Sequence, residues 1–362
     1  MIIHPSAAKV GQVLATDHFG RTNHPIIKKN TVLTAEHLDI LSLFMIREIE
    51  IVSETSKNKQ TTKTAPEKSK PSPVSSIEMP GAFLPLYNEA VKRFKVLFTN
   101  WRAGAQIDVL TLRKAIVPVV EKGMDQPGGL KDMQQAQNTD DYLYHHAVSL
   151  SVLSAFIAKK LGFSRGDCLQ IGVAGALCDC GMSKISPAIL KKKGPLNLHE
   201  LKEVKQHSIQ GYNMLKKLPA IKEGVLLGVL QHHERQDGSG YPLKVHGSKL
   251  HPYSRILAAA DVYLAMTSER PYRKKLSPFK VIELMMKDQF GQFDPAIIRA
   301  VTDGLSIFSA GTRVRLSDGQ TGSIVFKEDS HPARPIIQLD QSSAIISLRD
   351  NNDLFIEEVL SE

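Results

Sequence analysis

Apolar positions along the chain change their spacing several times, and each change marks a different kind of element. From Val10 to Val52 the runs are short: Val10–Ala15, a turn around Gly20, a second run at Pro25–Lys28, then Leu38, Leu41 and Phe44 at helical spacing, then Ile46–Val52. Thr34 is placed to cap a helix over Ala35–Phe44. The pattern predicts a small α+β module over residues 1–52. Ser53–Met79, SETSKNKQTTKTAPEKSKPSPVSSIEM, then reads as a flexible linker, because so little apolar surface cannot offset the entropy of ordering. Leu84–Trp101 and Val109–Lys122 return to helical spacing before a break at Gly128-Gly129, giving a helical connector over 80–139.

After Asp140 helical segments follow one another, and 140–308 reads as one all-helical domain. The period then shortens. Gly311–Leu316, Gly322–Phe326, Arg334–Leu339 and Asp353–Glu357 are β-type runs, parted by Asp318-Gly319 and by Pro332 and Pro335, which predicts a small β domain over 309–362. The expected fold class is therefore mainly α, with a small α+β module before the helical domain and a small β domain after it.

Composition narrows the setting. The chain has 362 residues, 42% of them hydrophobic, enough for two or three domains with ordinary cores. It has no apolar run of about 18 residues, and Met1-Ile2-Ile3-His4-Pro5 lacks the basic lead of a signal peptide, so a cytoplasmic protein without a membrane span is expected. Cys168, Cys178 and Cys180 fall in a stretch that reads as buried helix, which suits reduced thiols better than a disulfide framework. The net charge of +9 comes without the aromatic-interleaved basic stripe of a nucleic-acid binder, so nucleic acid is not expected. The same excess is compatible with a small phosphate-bearing ligand.

The chemistry concentrates in the helical domain. His145-His146, Cys178-Asp179, His207, His232-His233 and Asp261 combine imidazoles with two carboxylates. That donor set suits zinc, iron, manganese or nickel, and a carboxylate can bridge two ions, so the residues point to a two-metal hydrolytic site. Adjacent residues inside a helix diverge by about 100°, so two neighbouring rings share an ion only where the helix ends. His232-His233 lead straight into HHERQDGSGYP, whose Asp-Gly-Ser-Gly and Tyr-Pro steps enforce tight turns. His145, His199, His246, His251 and His331 read as ordinary histidines, and His4, His18, His24 and His37 lack any paired spacing.

HHERQDGSGYP resembles the GYP motif of the HD-GYP family, a branch of the HD metal-dependent phosphohydrolases. YHHAVSLSVLS, ALCDCGMSKISPAIL, EVKQHSIQGYNML and ILAAADVYLAMTSERPYR resemble the family's other motifs in the same order, over about residues 140–290. The resemblance implies two divalent ions, iron or manganese in preference to zinc or nickel. His146, Cys178, Asp179 and Asp261 would serve one ion, and Asp179, His207, His232 and His233 the other. Asp179 would bridge them as the central catalytic carboxylate. Arg270 and Arg273 would meet substrate phosphate, beside the Gly240-Tyr241-Pro242 loop. The implied reaction is hydrolysis of cyclic di-GMP, or a related cyclic dinucleotide, to pGpG or GMP. Signalling proteins such as GGDEF-type cyclases are the implied partners, and the helices of 84–122 offer a surface for pairing with a second copy. Val10–Ala15 and Gly311–Leu316 are similar to accessory regions found beside Gram-positive HD-GYP domains.

Three positions depart from that pattern. Cys178 stands for the histidine of HD, Met182 for the lysine of HDIGK, and Leu264 for a second aspartate. Loss of one electrostatic or acid–base group commonly costs about 10²–10⁴ in rate, so the resemblance implies either reduced activity or an inactive domain that binds the dinucleotide or a partner as a sensor. Cys178 reads in two ways, as a thiolate ligand or as an apolar filler.

Overall fold

A computed structural model describes residues 2–3, 8–9, 11–16, 18–19, 25–27, 29–33, 48–51, 83–126, 129, 132–133, 136, 140–192, 194–269, 274–287, 291–304, 308, 310–328 and 331–360. The chain divides into two compact units, Met1–Ser76 and Ile77–Glu362. In the first, β1 (Ile2–Ile3) pairs antiparallel with β4 (Ile49–Glu50), and β2 (His18–Phe19) with β3 (Pro25–Ile27). Leu14 and Leu33 are fully buried between these short pieces. The helix expected over Ala35–Phe44 and the linker 53–79 lie outside the described residues.

The second unit is built on α3 (Tyr142–Lys160), buried without interruption from His145 to Ala158. A helix apolar on every side belongs at the centre of a bundle, and α3 has neighbours all round. α4 (Arg165–Leu177) packs along it, with α1 (Phe83–Arg102), α2 (Val109–Asp125) and α9 (Pro252–Thr267) on other faces. The connector helices thus share the core of the helical domain. α1 buries Tyr87, Ala90, Val91, Phe94, Phe98 and Trp101, a stripe at three- and four-residue spacing. Tyr87 Oη lies 3.0 Å from His145 Nδ1, which satisfies that buried histidine as an ordinary core residue.

The remaining helices are short and deliver the candidate ligands at their ends. A 3₁₀ turn (Cys180–Lys184) follows α4, then come α5 (Pro187–Leu190), α6 (Leu198–Lys205), α7 (His207–Leu215) and α8 (Glu223–Gln231). α10 (Pro278–Lys287) and α11 (Pro295–Asp303) follow α9. Several starts are capped as the sequence dictates: Asp108 accepts from Leu110 and Thr111, Ser164 from Asp167, and Asn197 with Glu200 forms a capping box. No helix among the described residues is long and apolar enough to cross a membrane.

The C-terminal runs form a five-stranded antiparallel sheet in the order β8-β7-β6-β5-β9: β5 (Arg313–Leu316), β6 (Thr321–Phe326), β7 (Ile336–Leu339), β8 (Ile345–Ser347) and β9 (Ile356–Val359). The Asp318-Gly319 turn joins β5 to β6 with Gly319 at φ +87°, a conformation natural to glycine. The sheet is fastened to the helices: Arg334 pairs with Glu283 of α10, both almost fully buried, and Ser277 donates to the Ile356 carbonyl.

Candidate metal centre

Three imidazoles converge at the ends of helices. His207 opens α7 directly after α6, and its Nδ1 lies 2.7 Å from the Val204 carbonyl in the last turn of α6. His232 is the C-cap of α8, and its Nδ1 lies 2.7 Å from the Val229 carbonyl. A carbonyl only accepts, so both Nδ1 atoms carry the proton and donate it. The Nε2 of each ring is left with a lone pair. His207 Nε2 sits 3.1 Å from His232 Nε2 and 3.1 Å from His233 Nε2.

Burial, with His207 beside it, pushes His232 down to about 4, and burial followed by His232 lowers His233 as well. His232 and His233 are therefore neutral at neutral pH. Lone pairs facing each other across 3.1 Å with no proton between them repel, unless a cation occupies the space they share. Nitrogen–metal bonds of about 2.0–2.1 Å place neighbouring ligand nitrogens roughly 3.0–3.4 Å apart. Among the described residues, His207, His232 and His233 form the group whose ligand atoms all lie within 4.8 Å of one another. The donors therefore fit a divalent ion.

Two carboxylates border the cluster. Asp179, just past the end of α4, places Oδ1 3.4 Å from His207 Nε2 and Oδ2 3.9 Å from His146 Nε2. Gly181 brings it there: a Cβ on Gly181 would stand 1.9 Å from the His207 carbonyl oxygen, so only glycine lets this turn lie against α7. Asp261 of α9 places Oδ1 2.9 Å from His146 Nε2 and Oδ2 3.5 Å from His233 Nδ1. Burial works against the Asp261 carboxylate, but the hydrogen bond from His146 and the nearby His233 outweigh it and hold its carboxyl far below the usual range.

The loop after His233 folds over the cluster. Glu234, 1% exposed, accepts from the Leu243 and Lys244 backbone through Oε1 at 2.5 and 2.9 Å, which staples the two ends of the loop together. Asp237 accepts from the Ser239 amide and hydroxyl at 2.9 and 2.7 Å. Gly240 is buried where a Cβ would meet the Glu234 Cα at 2.4 Å. The next residue, Tyr241, stacks on His233 with ring centres 4.7 Å apart. Pro242 follows through a cis peptide.

The family model described as the HD domain matches residues 132–297. This helical core is similar to the HD domain family over less than half of the chain. Curated relatives include the cyclic di-GMP phosphodiesterase PA4108 of Pseudomonas aeruginosa, 31% identical over 229 residues, covering 63% of this chain and 55% of that protein. The 3'3'-cGAMP-specific phosphodiesterase 3 of Vibrio cholerae is 31% identical over 166 residues, 46% of this chain and 36% of its own length. A cyclic di-GMP phosphodiesterase of Thermotoga maritima is 36% identical over 132 residues, 36% of each chain. The chain thus spans between about a third and just over a half of these relatives. Among solved structures, the HDG"Y"P protein Bd1817 of Bdellovibrio bacteriovorus aligns with TM-score 0.53 and 17% identity, over 84% of this chain and 99% of that one, which is a likeness of fold.

Within this helical core the sequence-predicted residues fall into three sets. His207, His232 and His233 come together, with Asp179 beside them and His146 and Asp261 adjoining. Cys178 lies near the two aspartates, fully buried at the end of α4, and burial followed by Asp179 and Asp261 pushes its thiol well up. It stands outside the group of close donors. Cys180 is likewise fully buried, its sulfur 3.1 Å from where a Cβ on Gly211 would sit, so it fills space between the turn and α7. Met182 is half-buried against the core and Leu264 is buried, so neither position offers a charge. Lys184, two residues beyond Met182, reaches the Trp101 carbonyl at 3.4 Å and does not replace the missing cation. Arg270 and Arg273 lie outside the described residues.

Sequence reasoning passed over three residues that shape the site. Tyr142, one turn before His146, stacks on that ring at 5.4 Å and brings its hydroxyl to 3.3 Å from Nδ1. Glu234 is the staple just described. Lys205, in the last turn of α6, holds its ammonium 5.0 Å from the centre of the Tyr241 ring. The i,i+4 spacing of Tyr142 to His146 was the available signal for the first.

Proposed function

We propose that this HD domain is a metal-dependent phosphodiesterase acting on cyclic dinucleotides, cyclic di-GMP first among them, with turnover reduced by the apolar residues at 182 and 264. The observation that carries the reading is the pair of imidazoles, His207 and His232, whose protons are committed to backbone carbonyls while their lone pairs face each other at 3.1 Å. The names of the relatives supply the substrate class, and cyclic di-GMP and 3'3'-cGAMP both belong to it.

A divalent ion in such a centre polarises a phosphodiester and makes a water acidic enough to serve as nucleophile near neutral pH. His207, His232 and His233 would hold it, with Asp179 alongside. Nitrogen and oxygen donors of this kind accept iron, manganese, zinc or nickel. Asp179, within 4 Å of imidazoles on both sides, is the carboxylate best placed to hold a proton at the reacting phosphorus. His146 and Asp261 keep the opposite wall polar. The Gly240-Tyr241-Pro242 loop, stapled by Glu234, forms the rim against which a base would pack, and Arg270 and Arg273 are assigned to the phosphates on the family pattern. The test is release of pGpG or GMP from cyclic di-GMP, with 3'3'-cGAMP in parallel, by protein loaded with manganese, iron or zinc. Product formation that Asp179→Ala abolishes is expected, and no product above that control with any metal overturns the reading.

One observation favours a second reading. Met182 and Leu264 put apolar surface where a phosphate-steadying cation and a proton-handling carboxylate are expected, which suits a domain that binds the dinucleotide, or a partner such as a GGDEF-type cyclase, without turning it over. Calorimetry separates the two: saturable binding of cyclic di-GMP without product selects the sensor.

A further inference from the structure

Position 182 supplies no cation to the centre, because Met182 is half-buried against the core. Two nearby cations are committed elsewhere. Lys184 turns to the Trp101 carbonyl at 3.4 Å. Arg235, in the loop after His233, gives one nitrogen to the Glu234 carbonyl at 2.9 Å and lays its guanidinium 5.1 Å from the centre of the Phe293 ring. A phosphodiester is an anion, and the carboxylates of Asp179 and Asp261 border the space it would enter. A cation on the rim would favour its approach.

Lys205 stands in that position. It is the last residue of α6, exposed, two residues before His207. Its ammonium lies 5.0 Å from the centre of the Tyr241 ring, and the same ring stacks on His233 with centres 4.7 Å apart. The two contacts bring the charge within about 10 Å of the His233 ring, on the order of one Debye length at 0.1 M salt. Among the described residues no carboxylate pairs with this ammonium. An aromatic face steadies a cation without cancelling its charge, whereas a carboxylate partner would neutralise it. A lysine is a point charge on a flexible four-carbon stem, so it can leave the ring for a phosphate oxygen without disturbing α6.

We propose that Lys205 is a substrate-binding residue of this centre: its ammonium, held on Tyr241, receives a phosphate of the incoming cyclic dinucleotide and supplies from α6 the charge that residue 182 lacks. The proposal rests on the reading above only in that the centre binds a cyclic dinucleotide, and it holds for the enzyme and the sensor alike. Tyr241 then links the two elements, stacked on a candidate metal ligand and carrying the cation that meets the substrate.

The test is calorimetry on the full chain loaded with manganese, using the phosphorothioate analogue of cyclic di-GMP, which keeps the charges and resists hydrolysis. Lys205→Met keeps the apolar stem and removes the charge. Affinity should fall about tenfold or more, with manganese content and circular dichroism unchanged. Lys205→Arg should restore most of the loss, and Met182→Lys in the Lys205→Met background should recover part of it, because the charge returns from the neighbouring turn. Affinity should also fall less steeply with rising salt in Lys205→Met than in the wild type. Equal affinity in Lys205→Met and the wild type overturns the proposal and leaves the phosphodiesterase standing. So does a weakened Lys205→Met whose salt dependence matches the wild type, or one that loses manganese, because Lys205 would then serve only to prop Tyr241. A wild-type chain that binds neither this analogue nor its 3'3'-cGAMP counterpart overturns the proposal together with the reading it rests on.

Discussion

The loop from His233 to Lys244 and the turn from Cys178 to Lys184 border the same centre and are held by opposite means. The loop is fixed by polar bonds: Glu234 to two backbone amides, Asp237 to Ser239, and the Tyr241 amide to the His233 carbonyl at 3.2 Å. The turn is fixed by packing, with Cys178 and Cys180 fully buried and Gly181 pressed onto the backbone of α7. The difference teaches where each can vary. A polar staple depends on one acceptor and tolerates changes around it, whereas a packed turn tolerates changes of chemistry but not of volume.

Four substitutions or conditions sharpen that contrast. Gly181→Ala should be the most damaging, because its Cβ has only backbone to displace; a loss of about 3 kcal/mol or more is expected from overpacking, read by urea unfolding, with metal content falling as His207 shifts. Glu234→Ala takes the acceptor from the Leu243 and Lys244 amides, which lie in exposed residues, and should cost roughly 1–2 kcal/mol, whereas Glu234→Gln keeps one acceptor oxygen and should cost about half as much; equal losses would show that the staple needs the charge. Cys180→Ala should cost about 1–2 kcal/mol through the small cavity it opens, and both thiols should resist alkylation in the folded protein at pH 8; rapid labelling of Cys178 would mean that the turn opens.

The smallest effect belongs to Asp237. Its hydrogen bonds from the Ser239 hydroxyl and amide hold its carboxyl below the usual range. The unfolded chain then binds more protons, so this contribution is fully present above the ordinary carboxylate range and is lost as pH falls through the lowered value. Because Asp237 is exposed, about half a kcal/mol is the scale. Amide protection in residues 236–241, corrected for the intrinsic exchange rate at each pH, should therefore fall as pH drops below the ordinary carboxylate range, while that of the packed turn at 180–184 stays unchanged.

Much of this was legible in the sequence. The helix-end placement of His232-His233 follows from the divergence of neighbouring side chains, and α8 does end at Gln231. His145 and His251, read as ordinary histidines, are engaged structurally, the first bonded to Tyr87 and the second capping α9 through the Tyr253 amide. Four strands of the sheet lay near their expected runs, but β8 went unread because three residues with an exposed Ile345 carry no alternation. The standing of Cys178 was not legible at all. Whether a sulfur at the end of α4 faces an ion or the core depends on the direction in which the backbone leaves that helix, and residue type alone does not fix it.

The ion pair between Arg334 and Glu283 bears on how the chain can be divided. By spacing alone, residue 308 reads as a seam between helices and sheet. Yet Arg334 also donates to the Leu348 carbonyl at 2.8 Å, so the guanidinium gathers two strand connections and one helix at a single point. A shortened protein ending at the seam would take Arg334 from Glu283, leaving it Lys287 and Lys280, and would remove the sheet that includes the buried Ile356. Because Lys287 stays 2.9 Å from Glu283, a helical fragment made for crystallisation or assay would lose the anchor between helix and sheet without leaving a bare buried charge.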